Sequence, residues 1–251
     1  MRPLYFYPLL CLTFLAGAPA PAQVGQPAAP PPAAPSASPA APPAAKTANQ
    51  NYQTTAGREA LSKTLTAPDR DATEKPRELV AEMGVRPGMT VADIGTGPGY
   101  MLPHLSAAVG PQGKVLAEDI FDDFLAKARA RAAQAGLTNV EFVKGSEHSP
   151  ALPAASVDII LALDSYHHYD YPQDMLAGFS QALKPGGRLI IVEYYKRAGA
   201  MGGGNSALTH IRLDDSGVVK EVEASGFALL EKREHIPKSQ YMAVFTKAAV
   251  P

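Results

Sequence analysis

Cysteine is nearly absent from this 251-residue chain, and the single Cys11 lies near its start. One thiol excludes an internal disulfide framework, a cysteine-based zinc site and a Cys-His nucleophile. Excess charge is missing too. A formal net charge of −1 gives no global basic field of the kind that drives nucleic-acid binding, and no partner of that class is expected. No apolar run reaches the eighteen or so residues of a spanning helix, so no stable membrane span is expected unless a leader stays uncleaved. Charge is unevenly spread as well. Residues 1–45 hold 12 of the 24 prolines and one charged residue, Arg2, whereas the chain from Lys46 has the mixed composition of a domain large enough for a core.

Arg2, the apolar segment Leu4–Ala18 and the small residues of Ala18-Pro-Ala-Pro-Ala22 have the three-part pattern of a secretory signal peptide over residues 1–22. That predicts export to the periplasm or medium, with an uncleaved membrane anchor or a cytoplasmic protein as the alternatives. Residues 23–50 read as an Ala/Pro-rich disordered linker, because such a tract buries too little surface to offset its ordering entropy. Residues 51–72 are an N-terminal extension, and the domain proper is expected over 73–251.

From about residue 70, apolar runs alternate with helical patterns, the signature of β-α units around a parallel sheet. Strands are predicted at Met89–Ile94, Val115–Ile120, Asn139–Lys144, Ser156–Leu163 and Arg188–Glu193, with a terminal pair at Phe227–Glu234 and Tyr241–Lys247. Helices are predicted from an N-cap at Thr73 through Met83, then over Tyr100–Val109, Phe121–Ala135, Gln173–Leu183 and Asp214–Ser225. Ala198–Asn205, with four glycines and no period, reads as a mobile loop.

The chemistry concentrates after the first strand, in Asp93-Ile-Gly-Thr-Gly-Pro-Gly99. Glycines there let backbone approach a ligand closely, although a purely structural βα turn has the same composition. A dinucleotide fingerprint would need its third glycine at position 100, which is Tyr, and a P-loop would need a Gly-Lys-Ser/Thr that is missing. Asp93 would repel a pyrophosphate and suits a cationic ligand. An acid at the end of the second strand, in Glu118-Asp119, is placed to accept hydrogen bonds from ribose hydroxyls.

Val91-Ala-Asp-Ile-Gly-Thr-Gly-Pro-Gly99, Asp119 and Leu183-Lys-Pro-Gly-Gly-Arg-Leu-Ile-Ile-Val-Glu193 together resemble the class I S-adenosylmethionine-dependent methyltransferases, in order and over most of the domain. Asp69-Arg-Asp, Lys75-Pro, Asp164-Ser-Tyr-His-His168 and His210-Ile-Arg are further similar to a group of uncharacterised exported methyltransferase-like proteins. The resemblance implies a Rossmann-like α/β fold: a seven-stranded, mostly parallel sheet with helices on both faces and the last strand antiparallel. It implies S-adenosyl-L-methionine as cofactor and methyl transfer to a small-molecule acceptor by direct displacement, with a non-catalytic nucleoside-binding protein as the alternative. Asp93, Gly95, Thr96, Gly97 and Gly99 would face the methionine moiety, Asp119 and Ile120 the ribose side, and Asp164 the sulfonium end. At Ser146 the family's adenine-binding carboxylate is missing, so either the Ser146 hydroxyl or Glu147 takes its place.

Tyr166, His167, His168, Tyr169 and Tyr171 crowd the end of the fourth strand, opposite the expected methyl group. Histidine exchanges protons near neutral pH, which makes His167 or His168 the candidate base and His210 a second one; packing or loop anchoring is the competing role. Ligand types alone allow a metal at His167, His168, His210 and Asp164. Adjacent histidines on a strand end point in opposite directions, however, so no metal is expected. Arg70 and Asp71 read as a solvated charge run in preference to a lid. The implied cofactor is a cytosolic metabolite, whereas the leader predicts export.

Overall fold

In a computed structural model, residues 43–249 are described; the leader and most of the Ala/Pro tract lie outside them. Seven strands form one sheet: β1 (Thr90–Ile94), β2 (Lys114–Asp119), β3 (Val140–Lys144), β4 (Val157–Leu163), β5 (Leu183–Tyr194), β6 (Phe227–Ile236) and β7 (Gln240–Lys247). Their order is β3-β2-β1-β4-β5-β7-β6, with β1 to β5 mutually parallel and β7 antiparallel to both of its neighbours. The expected architecture is therefore the observed one.

Strand β4 shows why the sheet is central. Ile159 and Leu161 face one core layer while Ile160 and Ala162 face the other, all fully buried. Apolar residues at every position suit a parallel strand covered on both faces. On the first face lie α4 (Pro76–Glu82), α5 (Leu102–Val109) and α6 (Asp122–Gln134), through Leu79, Met83, Leu105 and Ala128. On the second lie α7 (Pro172–Ala182) and α9 (Asp215–Ala224), through Leu176, Phe179, Val218 and Val222. Each such aliphatic or aromatic side chain contributes about 1.5–3 kcal/mol when fully buried. No helix among the described residues is long and apolar enough to cross a membrane.

Three expectations need correction. The helix predicted from Thr73 is two helices, α3 (Arg70–Glu74) and α4, broken at Lys75 with φ 46°. Pro76 explains the break, since it disfavours helical backbone in the residue before it and itself starts the next helix. Residues 43–50, assigned to the linker, include α1 (Pro43–Ala48) and the start of a 3₁₀ turn at Gln50–Tyr52, and Ala48 is buried. Tertiary contacts offset the ordering cost that composition alone would leave unbalanced. The loop over Ala198–Asn205 is irregular as expected, yet Ala200 is buried and its carbonyl accepts from the Ser239 hydroxyl at 2.6 Å.

Sheet order reverses between β1 and β4, whose shared carboxyl edge opens the crevice where ligands of such sheets bind. Helix α2 (Thr55–Leu65) borders it through Leu65, and α8 (Ser206–His210) brings His210 against His167.

Candidate active site

The turn after β1 reverses direction because Gly95 and Gly97 adopt φ 70° and 55°. Its backbone is tied to the end of β2. The Thr96 N–H donates to the Glu118 carbonyl at 2.8 Å, and the Gly97 N–H to Asp119 Oδ2 at 2.9 Å. Asp119 also accepts from the Phe121 N–H at 2.9 Å, so its carboxylate is locked between turn and helix. Asp93, at the strand end, accepts from the Thr96 hydroxyl at 2.7 Å. Burial pushes both carboxyls up to about 6; the Thr96 hydroxyl partly offsets this for Asp93, and the two N–H groups do so for Asp119.

One cavity collects most of the residues expected to bind the cofactor: Asp93, Gly95, Thr96, Gly97, Asp119, Ile120, Ser146, Glu147 and Asp164. Gly99 is elsewhere. A Cβ there would lie 2.9 Å from Leu102 Cδ1 and 3.1 Å from Ala128 Cα, so this glycine serves close packing of α5 and α6 rather than ligand approach.

Several lining residues had no motif to announce them. Tyr52 enters from the N-terminal extension, its ring 4.6 Å from the His168 ring and 6.1 Å from the Phe121 ring. Arg58 holds that segment down by ion-pairing with Asp123 at 2.7 Å and donating to the Tyr52 carbonyl at 2.6 Å. Arg70 also lines the cavity, stacked over Tyr100 at 4.7 Å and 4.0 Å from Asp164, so it is not part of a solvated charge run. Asp71 is more exposed but accepts from the Tyr100 hydroxyl at 2.9 Å. Glu118 is buried beside Asp119, and Gly145 makes room for it: a Cβ at 145 would sit 1.7 Å from Glu118 Oε1.

The histidines do not lie on a strand. His167 and His168 occupy a 3₁₀ turn (Tyr166–His168), where side chains do not alternate across a sheet, and their rings are 4.0 Å apart. The expectation that they diverge is therefore overturned. His168 lines the cavity; His167 lies behind it, bonded through Nδ1 to Glu193 Oε2 at 2.7 Å and through Nε2 to His210 Nε2 at 3.1 Å. Burial lowers the pKa of all three imidazoles and raises those of Asp164 and Glu193. The tyrosines separate: Tyr169 lines the cavity, Tyr166 donates to Glu221 in the core at 2.7 Å, and Tyr171 stacks on His148 at 3.8 Å. Asp164 itself holds φ 52°, a strained conformation for a non-glycine residue, with its N–H on the Val192 carbonyl at 2.8 Å.

A doubly wound sheet with a glycine turn and an acid at the next strand's end is the arrangement of a Rossmann-like α/β protein. Comparison narrows the class. A family model described as "Methyltransferase domain" matches residues 91–187. The ubiquinone/menaquinone biosynthesis C-methyltransferase UbiE of Ectopseudomonas mendocina (strain ymp) is 34% identical over 114 residues, 45% of this chain and 44% of that protein. The chain spans about half the length of the curated relatives it matches. A crystal structure of a SAM-dependent methyltransferase from Aquifex aeolicus matches with TM-score 0.68 and 29% identity, covering 74% of this chain and 96% of the other. The [4+2]-cyclase SpnF, at 16% identity and TM-score 0.65 over 84% and 99% of the two chains, shares the fold alone. Over residues 91–187 the chain thus resembles a methyltransferase domain, and its fold is similar to that of a SAM-dependent methyltransferase.

Proposed function

We propose that the protein transfers a methyl group from S-adenosylmethionine to a small-molecule acceptor by direct displacement. The observation that carries this reading is the Asp119 carboxylate, clamped by two backbone N–H groups on the wall of the cavity that also holds Asp93 and the glycine turn. The donor set suits that cofactor. Asp93 offers charge to an ammonium, Asp119 accepts from ribose hydroxyls, and Ile120, Ser146 and Glu147 line the same cavity for a base. When bound, the cofactor supplies an activated methyl group on a cationic sulfur.

What this chain adds is alignment and exclusion of water. Tyr52, Phe121 and Phe124 close one side of the cavity with aromatic surface, and Met101, Leu163 and Met175 contribute apolar surface elsewhere along it. Arg70 and Asp164, 4.0 Å apart, and His168 also line the cavity, and an acceptor would sit against them. Of the three candidate bases, only His168 lines the cavity; His167 and His210 act behind it. UbiE is by name a C-methyltransferase of quinone biosynthesis, which supports an organic small molecule as acceptor class here.

Calorimetry with S-adenosylmethionine, S-adenosylhomocysteine and NAD tests the cofactor. Micromolar or tighter binding of the homocysteine product with none of NAD is expected, and the reverse selectivity would reject the reading. Product binding without methylation of any acceptor in a broad panel would favour the non-catalytic nucleoside binder.

A pH dependence follows from the two raised carboxyls. Asp93 and Asp119 are ionised above about 6, so affinity for the cationic cofactor is expected to fall as pH drops from 7 to 5. Apo stability moves the opposite way. A carboxyl raised from 3.8 to about 6 binds more protons folded than unfolded in that window, so its contribution is lost as pH rises through it. Titrations and melts at pH 5, 6 and 7 read both signs; affinity flat across that range would contradict the assignment of these acids.

Export is part of the same proposal, supported by the signal-like pattern of residues 1–22. Sequencing the N-terminus of protein recovered from cell fractions should find Gln23 first, outside the cytosol. An intact Met1 in the cytosolic fraction would reject it.

A further inference from the structure

Three imidazoles converge behind the acceptor end of the cavity, and hydrogen bonding fixes where their protons are. The Asn49 amide donates Nδ2–H to the His168 carbonyl at 3.0 Å, so its oxygen must be the atom 2.7 Å from His168 Nδ1. An amide oxygen only accepts; the His168 proton is therefore on Nδ1, and Nε2 carries the lone pair. With Glu193 ionised, His167 Nδ1–H donates to its carboxylate at 2.7 Å, and the Nε2 lone pair faces His210 Nε2, 3.1 Å away. A histidine oriented by a carboxylate on its far nitrogen is the usual support of a metal-ligating imidazole.

The distances agree with an ion. Two nitrogens 3.1 Å apart, each about 2.05 Å from a metal, subtend about 100°, between octahedral and tetrahedral values. One ligand atom from each of His167, His168 and His210 lies within 4.8 Å of the others. At such angles bonds of about 2.05 Å set neighbouring ligand atoms about 3.1–3.4 Å apart, so closing the triad needs a side-chain shift of up to about 1.5 Å. An independent sign comes from the carboxylates. Glu193 is 1% exposed and its Oε1 has no hydrogen-bond partner; Asp164 Oδ1, also buried, has none. Ligand atoms of Asp164, His167 and Glu193 also fall within 4.8 Å of one another, so two acids with unpartnered buried oxygens border the triad.

We propose that His167, His168 and His210 bind a first-row transition-metal dication, with Glu193 orienting His167 and Asn49 orienting His168. Three nitrogen ligands would leave a coordination position for a water or another oxygen ligand, and one of the three, His168, lines the cavity. The inference concerns metal binding alone and stands whether or not methyl transfer is the reaction.

The test uses untagged full-length protein, stripped with a chelator and titrated with Co²⁺ while its visible ligand-field bands are followed. One equivalent per chain should bind with a micromolar or tighter Kd and be displaced by Zn²⁺. His210→Ala, at a half-buried position on a short helix, should weaken binding at least tenfold while apo melting stays near wild type. Glu193→Gln should weaken it roughly 10- to 100-fold. His148→Ala, at the surface pair His148–Asp174, should leave affinity unchanged. Absence of stoichiometric binding overturns the proposal, as does a Kd unaffected by His210→Ala or weakened mainly by His148→Ala.

Discussion

Asp119→Ala is expected to lower affinity for S-adenosylhomocysteine by about 2–3 kcal/mol, roughly 30- to 150-fold. The carboxylate is already paid for in the apo fold. Burial holds it up to about 6, and the Gly97 and Phe121 N–H groups fix its direction before any ligand arrives. A pre-oriented acceptor loses little entropy when ribose hydroxyls reach it, and charged acceptors make the stronger hydrogen bonds. Stability should change much less than affinity, because removing a buried carboxylate also removes its desolvation cost. Asp119→Asn keeps the shape and loses the charge, and should fall between. Calorimetry beside a thermal melt separates the effects; a variant within threefold of wild-type affinity would remove Asp119 from the site.

Gly99→Val should act almost entirely on folding. At φ 82°, a β-branched residue is strained, and its Cβ would meet Leu102 Cδ1 at 2.9 Å and Ala128 Cα at 3.1 Å. Backbone strain of about 1–3 kcal/mol adds to overpacking of about 1–3 kcal/mol. For a domain of this size the melting temperature should drop on the order of 10 °C. Gly97→Ala makes the contrast. Its Cβ would lie an ordinary 3.6 Å from Leu65 Cδ1, so folding should lose only about 1–2 kcal/mol of left-handed strain while a methyl group intrudes on the cavity. Ligand affinity should therefore fall more in Gly97→Ala than in whatever fraction of Gly99→Val remains folded. If Gly99→Val melts like wild type, the packing role is wrong.

These glycines show how far local sequence reaches. Three of them in one motif look equivalent, because spacing reports a turn and not what stands across from each Cα. Gly95 and Gly97 border the cavity, and Gly99 lies against α6, almost thirty residues further along the chain. The histidine pair makes the same point. Its side-chain directions depend on whether the backbone at 167–168 is extended or turned, and the turn observed there packs against α1 and β5, elements distant in the sequence. Arg70 looked solvated because Asp69, Arg70 and Asp71 form a charged run; stacking on Tyr100, thirty positions away, gives its stem a place to bury.

By itself the sequence determined the alternation of strand and helix, the sheet's class, and the acids flanking the glycine turn. Those properties follow from short-range patterns: apolar runs bounded by turn residues, and a carboxylate at a strand end. Only the tertiary structure decided that Asn49, Tyr52, Leu65 and Arg70 line the site, that His167, His168 and His210 meet, and that Glu193 stands behind them. Each of these joins residues that are distant along the chain, through side chains that meet only once the sheet and its helices are assembled. Periodicity carries no information about such encounters, because it is fixed by neighbours a few positions away, whereas the encounters are fixed by the shape of the whole core.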